Sequence, residues 1–267
     1  MAIARIAISM KGSGHKVLSG LYTIQQDVMV NMKKPMLIGH RGIRGRLENT
    51  LPAFRRAVQY ADGIEFDIRS TEDGRLVVHH DPVFHSNGRG YQIRELTLLE
   101  IRRLHPNGKI IPTVKEIFRR FPRMFLDADI KETSAVEPAL RIAEITKSTE
   151  RTVFSSENPE IAKRLLKECP DCKVGFSIVG YSSSLRLPRI KGLYSVHVPI
   201  DAVSYIGYHQ LAVLLKTLRK RGLRIYLWNY KMDELYWVPR LFQLVDAVIS
   251  DNPARLRKVF TGSWGMR

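Results

Sequence analysis

Four short stretches of this 267-residue chain end apolar runs on residues that can move protons or hold cations. "MLIGHRG" delivers His40 and Arg41, "GIEFDIR" delivers Glu65 and Asp67, "LVVHHDP" delivers His79, His80 and Asp81, and "MFLDADIK" delivers Asp127, Asp129 and Lys131. Glu65 and Asp67 alternate with Phe66 and share a strand face, as do Asp127, Asp129 and Lys131. Two acids aimed into one buried mouth repel strongly unless a cation lies between them, and ion pairs are an expensive way to fill a core. A set of carboxylate oxygens suits Mg²⁺ or Ca²⁺. The plainer reading is that Glu65 and Asp67 form salt bridges to Arg41 or Lys131. Histidines at strand ends flanking such a cluster are suited to general acid and base work, because an unperturbed imidazole titrates near pH ~6.5. His15, His85, His105, His197 and His209 have no such company and read as structural.

The elements that must position these residues alternate between short β-rich runs and helical segments from Met36 onward, the pattern of parallel strands with helical crossovers. Nine strand candidates are present: "MLIGH", "GIEFDIR", "LVVHHD", "MFLDADI", "RTVFSS", "KVGFSIV", "YSVHVPI", "RIYLWN" and "AVISD". The connection from Asp67 to Leu76, with the turn signal Glu72-Asp73-Gly74, is too short for a parallel crossover. The run from Leu76 to Asp81 is therefore expected to return antiparallel beside its predecessor or to form a loop arm. Eight parallel strands remain, with helices expected over Thr50–Tyr60, Thr113–Phe121, Val136–Lys147, Pro159–Glu168, Tyr208–Arg221 and Asp233–Phe242. Asn49-Thr50 and Asn158-Pro159 read as helix starts. The expected fold is a single (β/α)₈ TIM barrel over residues 36–260 with a short antiparallel arm after the second strand. Residues 1–35 form a poorly specified leader and 261–267 a tail. Met32 and Met36 stand just before the first strand, where a native start would fit. In such a barrel the chemistry lies at the carboxyl ends of the strands.

Composition narrows the partners. The chain is 44% hydrophobic and 26% charged, ordinary for a globular protein, with no apolar run long enough to span a membrane. The apolar stretches before Lys34 are too broken for a signal peptide, so the reading is cytoplasmic. A net charge of +17 favours polyanions: nucleic acid, an anionic lipid surface met peripherally, or a phosphorylated substrate. "FRRF" and "LRKRGLR" read as solvated helix faces and ends, and no zinc-finger spacing or RNA-binding aromatic motif accompanies them, so nucleic acid ranks low. Cys169 and Cys172 form a lone "CPDC" in a helix-to-strand connection, where a redox pair, half a zinc site or a local disulfide would fit and a structural role is favoured.

Taken in order, "GHRG", "ENTLPAF", "ADGIEFDIRSTEDGRLVVHHDP", "DADIK", "LWN" and "VISDNP" resemble the successive blocks of the glycerophosphodiester phosphodiesterase family, from about Met36 to Phe260. The resemblance implies metal-dependent hydrolysis of a small glycerophosphodiester to sn-glycerol phosphate and an alcohol. It implies that His40 and His80 are the acid/base pair, that Glu65, Asp67 and Asp129 bind a divalent cation, and that Arg41 and Lys131 face the phosphate. His79 is then expected to face away. Trp228 matches an aromatic lining the mouth, against simple core packing as the alternative, and Glu48 matches an acid that orients a catalytic group or fixes the loop. The family's proposed route passes through a cyclic phosphate formed by a neighbouring glycerol hydroxyl.

The chain departs from the pattern at Asp129, where glutamate is common. The phospholipase-D-like sphingomyelinase branch also carries aspartate there, which makes an enzyme acting on intact lipids, of sphingomyelinase or lysophospholipase D type, the first rival. A non-catalytic phosphate- or membrane-surface-binding barrel is the second. The connection from Phe84 to Ile111 is too short for an inserted domain, so an open mouth is expected.

Overall fold

The computed structural model describes residues 34–261. Most of the expected leader, with His15, and the tail beyond Thr261 lie outside the described residues. Eleven strands are present among them: β1 (Met36–Gly39), β2 (Gly63–Ser70), β3 (Leu76–Val78), β4 (Val83–Ser86), β5 (Arg89–Gln92), β6 (Phe125–Ile130), β7 (Thr152–Ser156), β8 (Lys173–Ser177), β9 (Ser195–Pro199), β10 (Arg224–Trp228) and β11 (Ala247–Ser250). Eight of these, β1, β2 and β6 to β11, are parallel neighbours, and β1 closes the ring by pairing with both β2 and β11. The expected barrel is therefore the observed one.

Pleat alternation sorts each strand into two faces. Ile64, Phe66 and Ile68 of β2 point outward into a large core shared with the helices, where Phe66 meets Phe54 and Phe118 edge to face. Inside the barrel Ile38, Val153, Tyr226, Ala247 and Ile249 form a small apolar floor. Two residues further along β1 the same inward face carries His40, so the polar layer sits directly above that floor.

Helices α1 (Leu51–Ala57), α3 (Val114–Arg120), α4 (Val136–Ile145), α5 (Pro159–Glu168), α8 (Tyr208–Lys220) and α9 (Glu234–Leu241) fall where the sequence places them, shorter at some ends. The start of α5 is capped as expected, Asn158 accepting from the Glu160 amide at 2.9 Å. That of α1 is not: the Thr50 hydroxyl donates to Leu47 O at 2.6 Å, and the Asn49 amide is bound to Asp67 instead. The chain also forms α2 (Leu98–Leu104), α6 (Tyr181–Arg186), α7 (Val203–Ile206) and α10 (Pro253–Phe260).

β3 runs antiparallel to β2, Ile68 opposite Val78 and Ser70 opposite Leu76, as the short connection requires. The sequence reading did not foresee the β4–β5 hairpin. Its turn is Asn87-Gly88, both at positive φ, and an Asn-Gly pair was the signal that could have found it. This arm has its own core of Val77, Phe84, Ile93, Ile101 and Ile111, which anchors it to the barrel. Cys169 and Cys172 form a local disulfide between α5 and β8.

Candidate active site

Register makes the site. In the β2–β6 pairing Glu65 lies opposite Asp127 and Asp67 opposite Asp129, so four carboxyl groups stand side by side on the inner wall. Asp67 is almost completely buried; burial opposes its charge, but Lys131, Arg41 and His80 together with the Asn49 amide hold its carboxyl far below the usual range. Lys131 Nζ lies 2.9 Å from Asp67 Oδ1 and 2.6 Å from Asp129 Oδ2. Its ammonium is thus shared between two acids on the cavity wall, and although burial disfavours its charge, those acids keep it protonated. Burial, then the neighbouring Asp67, pushes the Glu65 carboxyl well above its ordinary value, against the pull of Arg41.

One oxygen from each of Glu65, Asp67 and Asp129 lies within 4.8 Å of the others, and Asp129 Oδ1 is buried without a hydrogen-bond partner among the described residues. An all-carboxylate donor set with an orphaned buried oxygen fits a hard divalent cation. Asp127, the other candidate on that strand, sits lower: its Oδ1 accepts from Ser155 Oγ at 2.7 Å, and burial pushes its carboxyl up to about 8.

The two histidines are held differently. His40 is buried at the end of β1 and donates through Nδ1 to Asp251 Oδ1 at 2.5 Å, the carboxylate being the acceptor. That leaves Nε2 facing the acids, 3.9 Å from Glu65 Oε2. His80 stands on the arm, half exposed, with Nδ1 donating to Asp81 Oδ1 at 2.7 Å. Its backbone oxygen accepts from Arg69 Nε and Nη2 at 2.8 and 2.6 Å, and Arg69 is braced in turn by Glu132 at 2.7 Å. His79 turns the other way, into ring contacts with Phe84 and His105, and burial lowers its pKa.

The loop after β1 is tightly folded because "GHRG" reverses the chain against α1. A side chain at Gly42, which has φ +78°, would meet the Ala53 and Phe54 backbone within 3 Å, and one at Gly39 would strike Gly42 O. Arg41 itself adopts φ 50°, with its amide donating to Glu65 Oε2 at 2.8 Å and its Nη1 to Glu48 Oε1 at 2.5 Å. Glu48 Oε2 also accepts from the Gly45 amide, so this acid both fixes the loop and aims the arginine.

These groups converge on one cavity of about 90 Å³. His40, Arg41, Glu65, Asp67, His80, Asp129 and Lys131 line it, as does Trp228, which stacks at a tilt on Tyr230 with centroids 4.2 Å apart. Trp228 thus lines the cavity and also packs on the apolar floor, and its buried Nε1 has no partner among the described residues. His197, expected to be structural, reaches the cavity floor; it stacks on Tyr226 at 4.9 Å between Ser177 and Ser195, and burial lowers it to about 4, so it is neutral. Sequence reasoning missed Asn49, Asp251, Arg69 and Glu132. The first three lie inside motifs already singled out, "ENTLPAF", "VISDNP" and "GIEFDIR", and Glu132 directly follows "DADIK"; what the sequence did not show was which partner each one meets.

The sequence profile of the Glycerophosphoryl diester phosphodiesterase family matches residues 40–255. The chain is 29% identical to a glycerophosphodiester phosphodiesterase of Caldanaerobacter subterraneus, over 84% of this chain and 96% of that relative. It is 28% identical to a human lysophospholipase D, over 82% and 84%. The solved glycerophosphodiester phosphodiesterase of Thermotoga maritima superposes with a TM-score of 0.72 at 27% identity, covering 86% of this chain and all of that one.

Proposed function

Because the chain belongs to the glycerophosphoryl diester phosphodiesterase family, and is thus a phosphodiesterase, we propose that it hydrolyses glycerophosphodiesters to sn-glycerol phosphate and an alcohol. The observation that carries this reading is the single cavity in which two imidazoles, three hard-oxygen ligands and two fixed cations meet. Glu65, Asp67 and Asp129 would hold Mg²⁺ or Ca²⁺. When bound, the cation supplies neutralisation of charge gathering on the phosphoryl oxygens, an effect worth several kcal/mol of barrier.

The chain's own groups do the rest. Arg41, preset by Glu48, and Lys131 add positive charge on the phosphate side of the cavity. Asp251 and Asp81 fix the Nδ1 atoms of His40 and His80, so each ring offers Nε2 for proton transfer. One ring takes the proton of the neighbouring glycerol hydroxyl as its oxygen attacks phosphorus, and the other protonates the departing alkoxide. The roles reverse when water opens the cyclic phosphate. An attacking group already carried by the substrate has the advantage of intramolecularity.

A second reading, lysophospholipase D activity on intact lysolipids, is favoured by Val179 and Tyr230, which extend the cavity wall outward as apolar surface. The deciding assay offers glycerophosphocholine and lysophosphatidylcholine side by side with Mg²⁺ or Ca²⁺ and identifies products by mass. Release of sn-glycerol phosphate from the first is expected. Turnover of neither substrate by a folded protein, or turnover undiminished by His40→Ala, would overturn the proposal.

A further inference from the structure

On one side of the mouth the segments after β8, β9 and β10, which include the short helices α6 and α7, carry large apolar side chains into solvent. Tyr181 is 81% exposed, Leu185 57% and Tyr205 87%, with Ile206 and Tyr230 also exposed. These are not scattered. β8, β9 and β10 are adjacent in the barrel, and Asp201 ties the last two loops together by accepting from the amides of Tyr230 and Lys231 at 2.8 and 3.1 Å. The patch is continuous with the catalytic cavity, because Val179 and Tyr230 belong to both.

The segment after β8 is its basic part, while Asp201 and Asp233 lie on the segments after β9 and β10. From Lys173 to Ile200 the sequence contains no Asp or Glu, while Arg186 and Arg189 lie exposed on the same short segment as Tyr181 and Leu185. Exposed tyrosines and leucines flanked by cations match the layered chemistry of a membrane interface, where aromatic rings sit at headgroup level and basic residues meet anionic lipid. No helix among the described residues is long and apolar enough to cross a membrane, so contact through this rim would be peripheral.

We propose that the rim formed by α6, α7 and the loop after β10 docks on an anionic lipid bilayer, with Tyr181, Leu185 and Tyr205 entering the interface and Arg186 and Arg189 meeting the headgroups. Docking turns the mouth toward the membrane surface, where a lysophospholipid headgroup can enter the cavity from the bilayer. This extends the lipid-cleaving reading of the same site and rests on it only for its activity arm.

The experiment sediments the full chain with vesicles of phosphatidylcholine, alone or mixed with phosphatidylglycerol, using both wild type and His40→Ala so that binding is read without turnover. Both should bind the mixed vesicles, more weakly as salt rises, and bind neutral ones poorly. The combined variant R186E/R189E should weaken binding roughly 100-fold. Y181S/L185S/Y205S should weaken it roughly 10-fold or more. Both should hydrolyse soluble glycerophosphocholine as wild type does while losing activity on lysophosphatidylcholine presented in mixed vesicles. Absence of vesicle binding by the wild type, or full binding by both variants, would overturn the inference. So would a wild-type dimer in solution that these substitutions dissociate, since the rim would then cover a second copy. Binding with no turnover of any substrate would uphold the docking surface and sink the catalytic reading instead.

Discussion

Between β1, β2 and β6 the mouth is built of charge held out of water, whereas across β8, β9 and β10 it is built of aromatic and aliphatic groups held in water. The first arrangement is costly at every position. Each buried carboxylate needs a partner, and the chain supplies Lys131 between Asp67 and Asp129, Arg41 against Glu48, and Asn49 on Asp67. Such a network has one workable geometry, and removing any member leaves another charge uncompensated. The second arrangement satisfies nothing inside the protein. Its side chains contribute little to folding, and what they contact is set from outside. The ionic side should therefore control chemistry on every substrate and the apolar side only the delivery of substrates from a surface.

The largest test of that division is loss of an acid. Asp67→Ala should lower kcat on glycerophosphocholine by roughly 10³-fold or more and abolish calorimetric binding of Mg²⁺ or Ca²⁺, because the cation and Lys131 both lose their shared partner. Chelation should do the same reversibly, with Mg²⁺ or Ca²⁺ restoring more activity than Zn²⁺. Asp129→Glu should keep part of the activity and Asp129→Ala none; a fully active Asp129→Ala protein would move the third ligand to Asp127.

Next in size are the histidines. His40→Ala and His80→Ala should each cost roughly 10²–10⁴-fold in kcat with little change in Tm, while His79→Ala, altering a ring packed in the arm, should be mild. Equal sensitivity of His79 and His80 would show that the arm presents the other ring to the substrate.

Asp251→Asn should cost less than His40→Ala and act on kcat rather than KM, since it loosens the ring without removing it. A variant with unchanged kcat would mean that strand geometry alone orients His40.

The smallest effect concerns the support beneath that pair. Glu234, on α9, accepts from Ser250 Oγ at 2.6 Å and from the Asp251 amide at 2.8 Å. Burial raises its carboxyl from 4.5 to about 7, only partly offset by these hydrogen bonds. A folded-state pKa above the unfolded one contributes stability that is full below the unfolded value and is lost as pH rises through the folded one. Wild type should thus lose stability between about pH 4.5 and about 7 relative to Glu234→Gln. In thermal melts the variant should gain on wild type by at least about 2 °C at pH 8 and show no gain at pH 4. A constant difference across that range would remove titration of Glu234 as the cause.

The sequence by itself determined the barrel, the antiparallel return and which candidate residues could share its carboxyl-end mouth. Strand periodicity is a local property, so the face shared by Glu65 and Asp67, or by Asp127 and Asp129, could be read from spacing alone. The eight residues between Asp67 and Leu76 likewise forced β3 to turn back, because no crossover fits that length. The resemblance then favoured His80 over His79 and Asp129 over Asp127, choices that local pattern left open; His80 and Asp129 line the cavity. Partnership was beyond reach. That Glu65 stands opposite Asp127 depends on the register of two strands about 60 residues apart. That Asp251 holds His40 depends on β11 closing against β1, across a separation of 211 residues. The exposure of Tyr181 on α6 and Tyr205 on α7 was hidden for the same reason: a tyrosine on a short helix reads alike in sequence whether covered or bare, and only the packed barrel decides whether another element covers it.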